Sequence, residues 1–189
     1  MITPIFFYGD LWMRIEIEQS KKIYQGRAFD VRKDYIRLPN GSTKQRDVVE
    51  HPPAVTILPV DEEKNIWFIR QYRHPVDEVL LELPAGVMDQ GESPIGTAQR
   101  EIREEIGMYA NHLELIGKFY LAPGYSTELM YVFLARELSR APLPADDDEF
   151  ISIEKIPIHL AFRTEHLRQL RDAKTIAALL LVRDHLINL

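Results

Sequence analysis

The sequence predicts an α+β fold, in which a mixed β-sheet is flanked by helices and preceded by a small N-terminal β extension. Runs of β-branched and aromatic residues separated by turn residues fill much of the chain up to residue 86 and recur at 113–124 and 129–138. Apolar residues recur at helical spacing in 94–106, and the last part of the chain is rich in helix formers. Strands followed by a helix, more strands and closing helices indicate a sheet with helices packed on it.

Residues 1–50 are predicted to form the N-terminal β extension, and residues 51–189 the main domain. The segment RAFDVRKDYIRLPNGSTKQRDVVEH alternates between apolar and polar residues on both sides of Asn40-Gly41. Asn-Gly is a favoured tight-turn dipeptide, so we expect a β-hairpin here.

Three β-type runs follow in the main domain. AVTILPV (54–60) and NIWFIRQYR (65–73) flank a polar turn at 61–64, and VLLELPAG (79–86) ends in proline and glycine. These compositions favour pleated, buried strands that end at turn residues.

The next element is a helix that begins near Pro94 and ends at Gly107, since proline suits the first helical turn and glycine suits the C-terminal end. Its apolar side should pack on the sheet and its acidic side should point outward. The predicted apolar side contains Ile95, Ala98, Ile102 and Ile106, and the acidic side contains Glu101, Glu104 and Glu105.

After two more strands, 142–150 is predicted to be an acidic loop. The segments 156–170 and 172–189 are predicted to be two closing helices. The last helix should bury an apolar face made of Ile176, Leu179, Leu180 and Leu186.

Composition excludes several classes of protein. The chain has 189 residues and a formal net charge of −6 with no basic cluster, which argues against nucleic acid as a partner. It has no cysteine, so disulfides, thiolate zinc sites and cysteine nucleophiles are excluded. The apolar N-terminal segment has no basic flank, and no apolar run has membrane-spanning length. We therefore expect a cytoplasmic protein that does not act on membranes.

Residues 86–108 read GVMDQGESPIGTAQREIREEIGM. Glutamates at i, i+3 and i+4 of a helix lie close together, which costs free energy unless cations offset the repulsion. Mg²⁺ binds carboxylate oxygens, and glycine lets a neighbouring backbone approach. A solvated helix with arginine salt bridges is the alternative interpretation. The spacing resembles the Nudix hydrolase signature, GX5EX7REUXEEXGU with U apolar, and every fixed position is filled.

That resemblance implies a Nudix α/β/α sandwich and hydrolysis of a nucleoside diphosphate derivative with Mg²⁺, or Mn²⁺ as an alternative. It implies that metal is held by the carbonyl of Ala85 and the carboxylates of Glu101, Glu105 and Glu104. Glu104 and Arg100 would belong to the catalytic centre, with Arg100 orienting a glutamate by a charge-assisted hydrogen bond. Glu92 could do the same.

Flanking segments such as IRQYRHPV, LLELPAG, APGYSTE and DAKTIAALLL resemble the ADP-ribose pyrophosphatase branch, as does a proline, Pro123, 15 residues past Met108. The implied reaction converts ADP-ribose to AMP and ribose 5-phosphate. Alternatives are a hydrolase of GDP-mannose, other nucleoside diphosphate sugars or dinucleoside polyphosphates, and a non-catalytic ADP-ribose sensor. Tyr125 resembles a marker of the dinucleoside enzymes or is an ordinary loop aromatic.

The same resemblance implies substrate-binding roles for three residues. Arg73 would hold the diphosphate, unless it forms only a surface salt bridge, and Arg46 would lie near the adenine and ribose. Glu82 would contact substrate or metal-bound water, or serve as a buried partner of Arg73.

The general base implied by the resemblance is Glu149, with Asp147 and Asp148 as alternatives in the same loop. Phe29 or Tyr35 could stack on the adenine, although each could equally be ordinary sheet packing. The branch also implies a homodimer with exchanged N-terminal strands.

Overall fold

The computed structural model describes residues 15–144 and 150–187, the side chain of Ile187 excepted. The chain divides into two units, one up to His51 and one from Pro52. Among the described residues, no helix has the length and apolarity needed to cross a membrane.

The first unit is a three-stranded antiparallel sheet in the order β1-β2-β3. Its strands are β1 (Glu16–Gln25), β2 (Asp30–Arg37) and β3 (Thr43–Glu50). The predicted hairpin is present, because β2 and β3 pair antiparallel around a turn in which Gly41 has a φ of 81°. That angle lies in the left-handed region that glycine adopts at little cost.

The second unit contains two sheets. One has the order β10-β5-β6 and the other the order β7-β4-β9-β8. The strands are β4 (Ala54–Pro59), β5 (Asn65–Arg73), β6 (Glu78–Glu82), β7 (Ala85–Val87), β8 (Met108–Tyr120), β9 (Leu129–Arg140) and β10 (Ile151–Pro157). β4 and β9 pair in parallel whereas the remaining pairs are antiparallel, which confirms the predicted mixed α+β architecture.

Helices pack on both sides of these strands. The helices are α1 (Pro94–Glu105), α2 (Ile158–Ala161), α3 (Thr164–Leu167) and α4 (Ala173–Ile187). One buried cluster joins Val55 and Ile57 of β4 to Ile102 of α1. The other joins Leu58 to Leu179 of α4, so alternate residues of β4 enter different clusters.

The prediction of one continuous helix over 156–170 was wrong. Ile151–Pro157 forms an edge strand paired antiparallel with β5, and only the two short helices α2 and α3 follow. Pro157 disfavours a helical conformation at Ile156, since the residue before a proline is pushed towards extended backbone. Arg163, with a φ of −68° and a ψ of 140°, then separates the two short helices.

Two members of the predicted apolar faces are also exposed. Ile95 of α1 and Leu180 of α4 are exposed, whereas Ala98, Ile102 and Leu179 are fully buried. Ile95 lies in the first turn of its helix and Leu180 follows the buried Leu179. A helical repeat of 3.6 residues therefore identifies the buried stripe better than its edges.

Candidate active site

Helix α1 carries the clustered glutamates, and its ends follow from local sequence. The hydroxyl of Ser93 accepts a hydrogen bond from the Gly96 amide at 3.2 Å, and Pro94 occupies the first turn. Gly107 follows the helix with a φ of 69°. These are the capping and stop signals that proteins commonly use at helix ends.

The prediction that the acidic side of α1 points outward was wrong. Glu101 is 8% exposed and Glu105 is 7% exposed, so both carboxylates are buried, whereas Glu104 is intermediate. The reason is a backbone turn that covers this face of the helix, formed where β6 leads into β7.

Two contacts place this turn directly against the carboxylates. The Ala85 amide donates a hydrogen bond to Glu105 Oε2 at 3.0 Å. A Cβ added at Gly86 would lie 1.8 Å from Glu101 Oε1, so only glycine allows the backbone to approach so closely. Ala85, Glu101 and Glu105 therefore lie close together.

The Arg100 guanidinium connects the remaining acids. It donates to Glu92 at 3.1 Å, to Glu101 at 2.7 Å, to Glu104 at 2.8 Å and to the Val87 carbonyl at 3.1 Å. Hydrogen bonds from Arg100, with those from the Thr97 hydroxyl and the Asp89 amide, lower the pKa of Glu92 to about 2. Arg103 instead donates to the Ala141 carbonyl at 2.9 Å. Of the two arginines in the motif, Arg100 therefore binds the acids and Arg103 binds a backbone carbonyl.

A second charged cluster surrounds the end of β6. Glu82 is 1% exposed and accepts two hydrogen bonds from Arg73, one from Nε at 2.8 Å and one from Nη2 at 2.7 Å. Lys174 Nζ also donates to Glu82 Oε2. Burial raises the pKa of Glu82, but its bonds with Arg73 and Lys174 outweigh burial and leave that pKa below its usual value. The proposed pairing of Glu82 with Arg73 is thus present.

Sequence reasoning missed the part of α4 that completes this cluster. Lys174 also contacts Asp172 at 3.0 Å, and the Thr175 hydroxyl donates to Asp172 at 2.6 Å while accepting from the Leu83 amide at 2.8 Å. The signal lay in DAKT, where an acid at a helix start is followed by a lysine on an otherwise apolar helix.

The other predicted site residues lie in the first unit or outside the described residues. Arg46 lies on β3 in the first unit, where it is exposed and donates to the Gln45 carbonyl at 3.0 Å. Phe29 and Tyr35 belong to the same unit, and Phe29 packs against Tyr24 with ring centres 6.1 Å apart. Glu149, Asp147 and Asp148 lie outside the described residues.

The oxygen atoms of these residues are of the kind that binds divalent cations. Carboxylate oxygens of Glu101, Glu104 and Glu105 and the backbone of Ala85 are the hard ligands that Mg²⁺ prefers. Within the parts of the chain that the structure describes, no three His, Cys, Asp or Glu side chains are arranged as a ready metal-binding group. Arg100 contacts Glu101 through Oε1 and Glu104 through Oε2, so it would share these two carboxylates with a cation that they bind.

A cavity of about 950 Å³ lies elsewhere in the second unit. It is lined by the turn at 61–65 together with residues such as Arg136, Ile158 and Arg183, and by none of the glutamates of α1. This cavity therefore does not mark the glutamates of α1, which are instead identified by their charge and by the close contact of the Ala85-Gly86 backbone with them.

Comparison with known proteins gives a consistent family. The profile of the NUDIX domain matches residues 50–179. An ADP-ribose pyrophosphatase from Bacillus subtilis (strain 168) is 37% identical over 162 residues, 85% of this chain and 88% of that protein. An ADP-ribose pyrophosphatase from Mycobacterium tuberculosis (strain ATCC 25618 / H37Rv) is 41% identical over 130 residues, 68% of this chain and 63% of that protein. A crystal structure of an ADP compounds hydrolase superposes with a TM-score of 0.84 at 27% identity, covering 95% of this chain and 98% of that one.

Proposed function

This chain belongs to the NUDIX domain family, and from that premise we propose that it hydrolyses the diphosphate bond of ADP-ribose to AMP and ribose 5-phosphate. The observation that carries the proposal is the packing of the Ala85-Gly86 turn against the buried carboxylates of Glu101 and Glu105. The similarity to ADP-ribose pyrophosphatases over most of the chain supports the choice of substrate.

The reaction is proposed to need a divalent cation, Mg²⁺ with Mn²⁺ as an alternative. The Ala85 carbonyl, Glu101 and Glu105 would hold it, with Glu104 as an additional ligand. Such a cation neutralises diphosphate charge and lowers the pKa of bound water. Arg100 would position Glu101 and Glu104 as the ligands, since it already contacts both.

Arg73 is proposed to bind the substrate diphosphate. Its guanidinium is held by two hydrogen bonds to buried Glu82, yet its side chain is 37% exposed. Arginine suits this role because its fork of donors matches phosphate oxygens. Glu82 then orients Arg73 and contributes to substrate binding through it.

Proton transfer is proposed for Glu149. Its carboxylate would accept the proton of the attacking water as the new phosphorus–oxygen bond forms, and the bridging oxygen would leave with the departing phosphate. Asp147 and Asp148 remain alternatives because they lie within two residues of Glu149. Arg46 as an adenosine contact also stays a prediction.

We also propose that the protein acts as a homodimer with exchanged N-terminal strands, and that it is cytoplasmic. The three-stranded sheet of the first unit, with every residue of β1 exposed, supports an intermolecular role for that unit. The mass in solution, measured by light scattering with and without residues 1–50, tests the dimer.

The deciding experiment is turnover with Mg²⁺ across ADP-ribose, GDP-mannose, UDP-glucose, diadenosine polyphosphates and nucleoside triphosphates. We expect kcat/KM for ADP-ribose to exceed the others at least about tenfold, the size of effect that one good pocket contact supplies. Equal or higher values for another substrate would replace ADP-ribose by that compound. ADP-ribose binding without hydrolysis of any substrate would indicate a sensor.

A further inference from the structure

Lys174 has no role in the reaction as described so far, although it is buried beside Arg73 and Glu82. We propose that Lys174 is a positioning residue that keeps Arg73 available for the substrate diphosphate by sharing the charge of Glu82. This inference rests on the proposed function, because it takes Arg73 as the diphosphate-binding residue.

The first step of the argument is the competition for Arg73. Its Nε and Nη2 atoms both bind Glu82 at under 3 Å, so the buried carboxylate offsets much of the guanidinium charge. A diphosphate approaching the exposed part of Arg73 would then meet a nearly neutral ion pair. Coulomb attraction at such a partly buried position is several-fold stronger than in water, so this loss of charge matters.

The second step is the charge that Lys174 adds. Lys174 Nζ binds the same Glu82 oxygen, Oε2, that accepts from Arg73 Nη2, and it also contacts Asp172. Arg73, Lys174, Glu82 and Asp172 therefore form a group of two cations and two carboxylates with zero formal charge. Without Lys174 the group would be net negative and would repel a diphosphate.

The third step is mechanical. The Thr175 hydroxyl accepts from the Leu83 amide, while Asp172 binds both Thr175 and Lys174. The first turn of α4 thus holds Leu83, which follows β6 directly and lies two residues before Ala85. The same turn both carries the charge of Lys174 and supports the backbone at Leu83. The experiment must therefore separate an electrostatic role of Lys174 from a purely structural one.

Two substitutions of opposite sign make that separation. Lys174→Gln removes a positive charge and keeps a hydrogen-bond donor, whereas Asp172→Asn removes a negative charge and keeps a good helix cap. Binding of the α,β-methylene analogue of ADP-ribose is measured by calorimetry, alongside KM, kcat and thermal unfolding. Lys174→Arg serves as the conservative variant. The exposed Arg171, which pairs with Glu78 rather than Glu82, gives the matched control Arg171→Gln.

We expect Lys174→Gln to weaken analogue binding about tenfold or more, the scale expected when one unit of charge is lost at a partly buried position, and to raise KM similarly with kcat within about threefold. Asp172→Asn should bind as tightly as the wild type or more tightly. Lys174→Arg should restore most of the affinity, and Arg171→Gln should match the wild type.

Wild-type affinity in Lys174→Gln would overturn the proposal. So would weaker binding in both Lys174→Gln and Asp172→Asn, which is what mere structural support predicts. If Lys174→Gln does not fold, the sign of the effect in Asp172→Asn decides. Failure of the wild type to bind the analogue would instead reject ADP-ribose as the substrate, and the same variants would then be compared on the compound that the substrate panel identifies.

Discussion

Gly86 is the position at which a single methyl group should disable the site while leaving the fold intact. In Gly86→Ala the new Cβ would lie 1.8 Å from Glu101 Oε1, although real Cβ contacts are essentially never under 3.0 Å. The carboxylate must therefore withdraw by at least the difference, 1.2 Å. It is the flexible end of a side chain, so it can move without displacing the helix backbone.

The magnitude follows from that displacement. A misplacement of about 1 Å costs roughly 100-fold in rate, so we expect kcat/KM for ADP-ribose to fall about 100-fold or more. Mn²⁺ affinity, followed by electron paramagnetic resonance, should fall with it, because Glu101 is one of the proposed ligands. The melting temperature should fall by only about 2–4 °C, the shift that about 1 kcal/mol produces in a chain of this length, because the flexible carboxylate and not the backbone moves.

Gly117→Ala is the matched control. A Cβ at Gly117 would lie 3.6 Å from Leu181 Cδ1, an ordinary van der Waals contact, and this glycine lies on β8 outside the motif. The control should keep wild-type activity. If Gly86→Ala also kept activity within a few-fold of wild type, the close approach of the turn to Glu101 would have no part in catalysis.

Three further predictions concern the acids. Glu105→Gln should abolish turnover and weaken Mn²⁺ binding while the fold is kept, because Glu105 is a proposed metal ligand. Activity within a few-fold of wild type would show that Glu105 is not a metal ligand. Glu149→Gln should lower kcat about 100-fold or more with little change in analogue affinity, as expected for a general base, and a normal kcat would shift that role to a neighbouring aspartate. Glu92 has a pKa of about 2 in the folded protein against 4.5 ordinarily, so its stabilisation is complete above about pH 4.5 and is lost as pH falls towards 2. Chemical denaturation across this range should show wild type more stable than Glu92→Gln by on the order of 1 kcal/mol above pH 4.5, because solvent screens this pair, with the difference shrinking as pH falls through 2; a pH-independent difference would contradict the role of the hydrogen bonds to Glu92.

Local signals predicted the elements that they fully determine. Helix α1 begins at Pro94, as predicted, because proline and a capping serine act through their immediate neighbours. Strand β5 spans residues 65–73, as predicted, because an apolar β-branched and aromatic run bounded by polar turns has one natural conformation.

The remainder depended on partners far away in the sequence. β10 is a strand because β5 offers it a free edge, which no local pattern records. Glu101 and Glu105 are buried because the turn at Ala85 covers them, although helical periodicity alone placed them outside. Lys174 is buried although lysines are usually exposed, because Glu82 and Asp172 both pair with it, and Glu82 lies far away in the sequence.

The contacts between α4 and the end of β6 also set an order of events during synthesis. Leu83 and Thr175 are 92 residues apart, as are Glu82 and Lys174. At ordinary translation rates, roughly 5 to 20 s pass between the emergence of the two partners. Until then the turn at Ala85 lacks the contacts that α4 makes with Glu82 and Leu83. A nascent or truncated chain that ends before residue 173 therefore has the whole glutamate motif but not the helix that supports it.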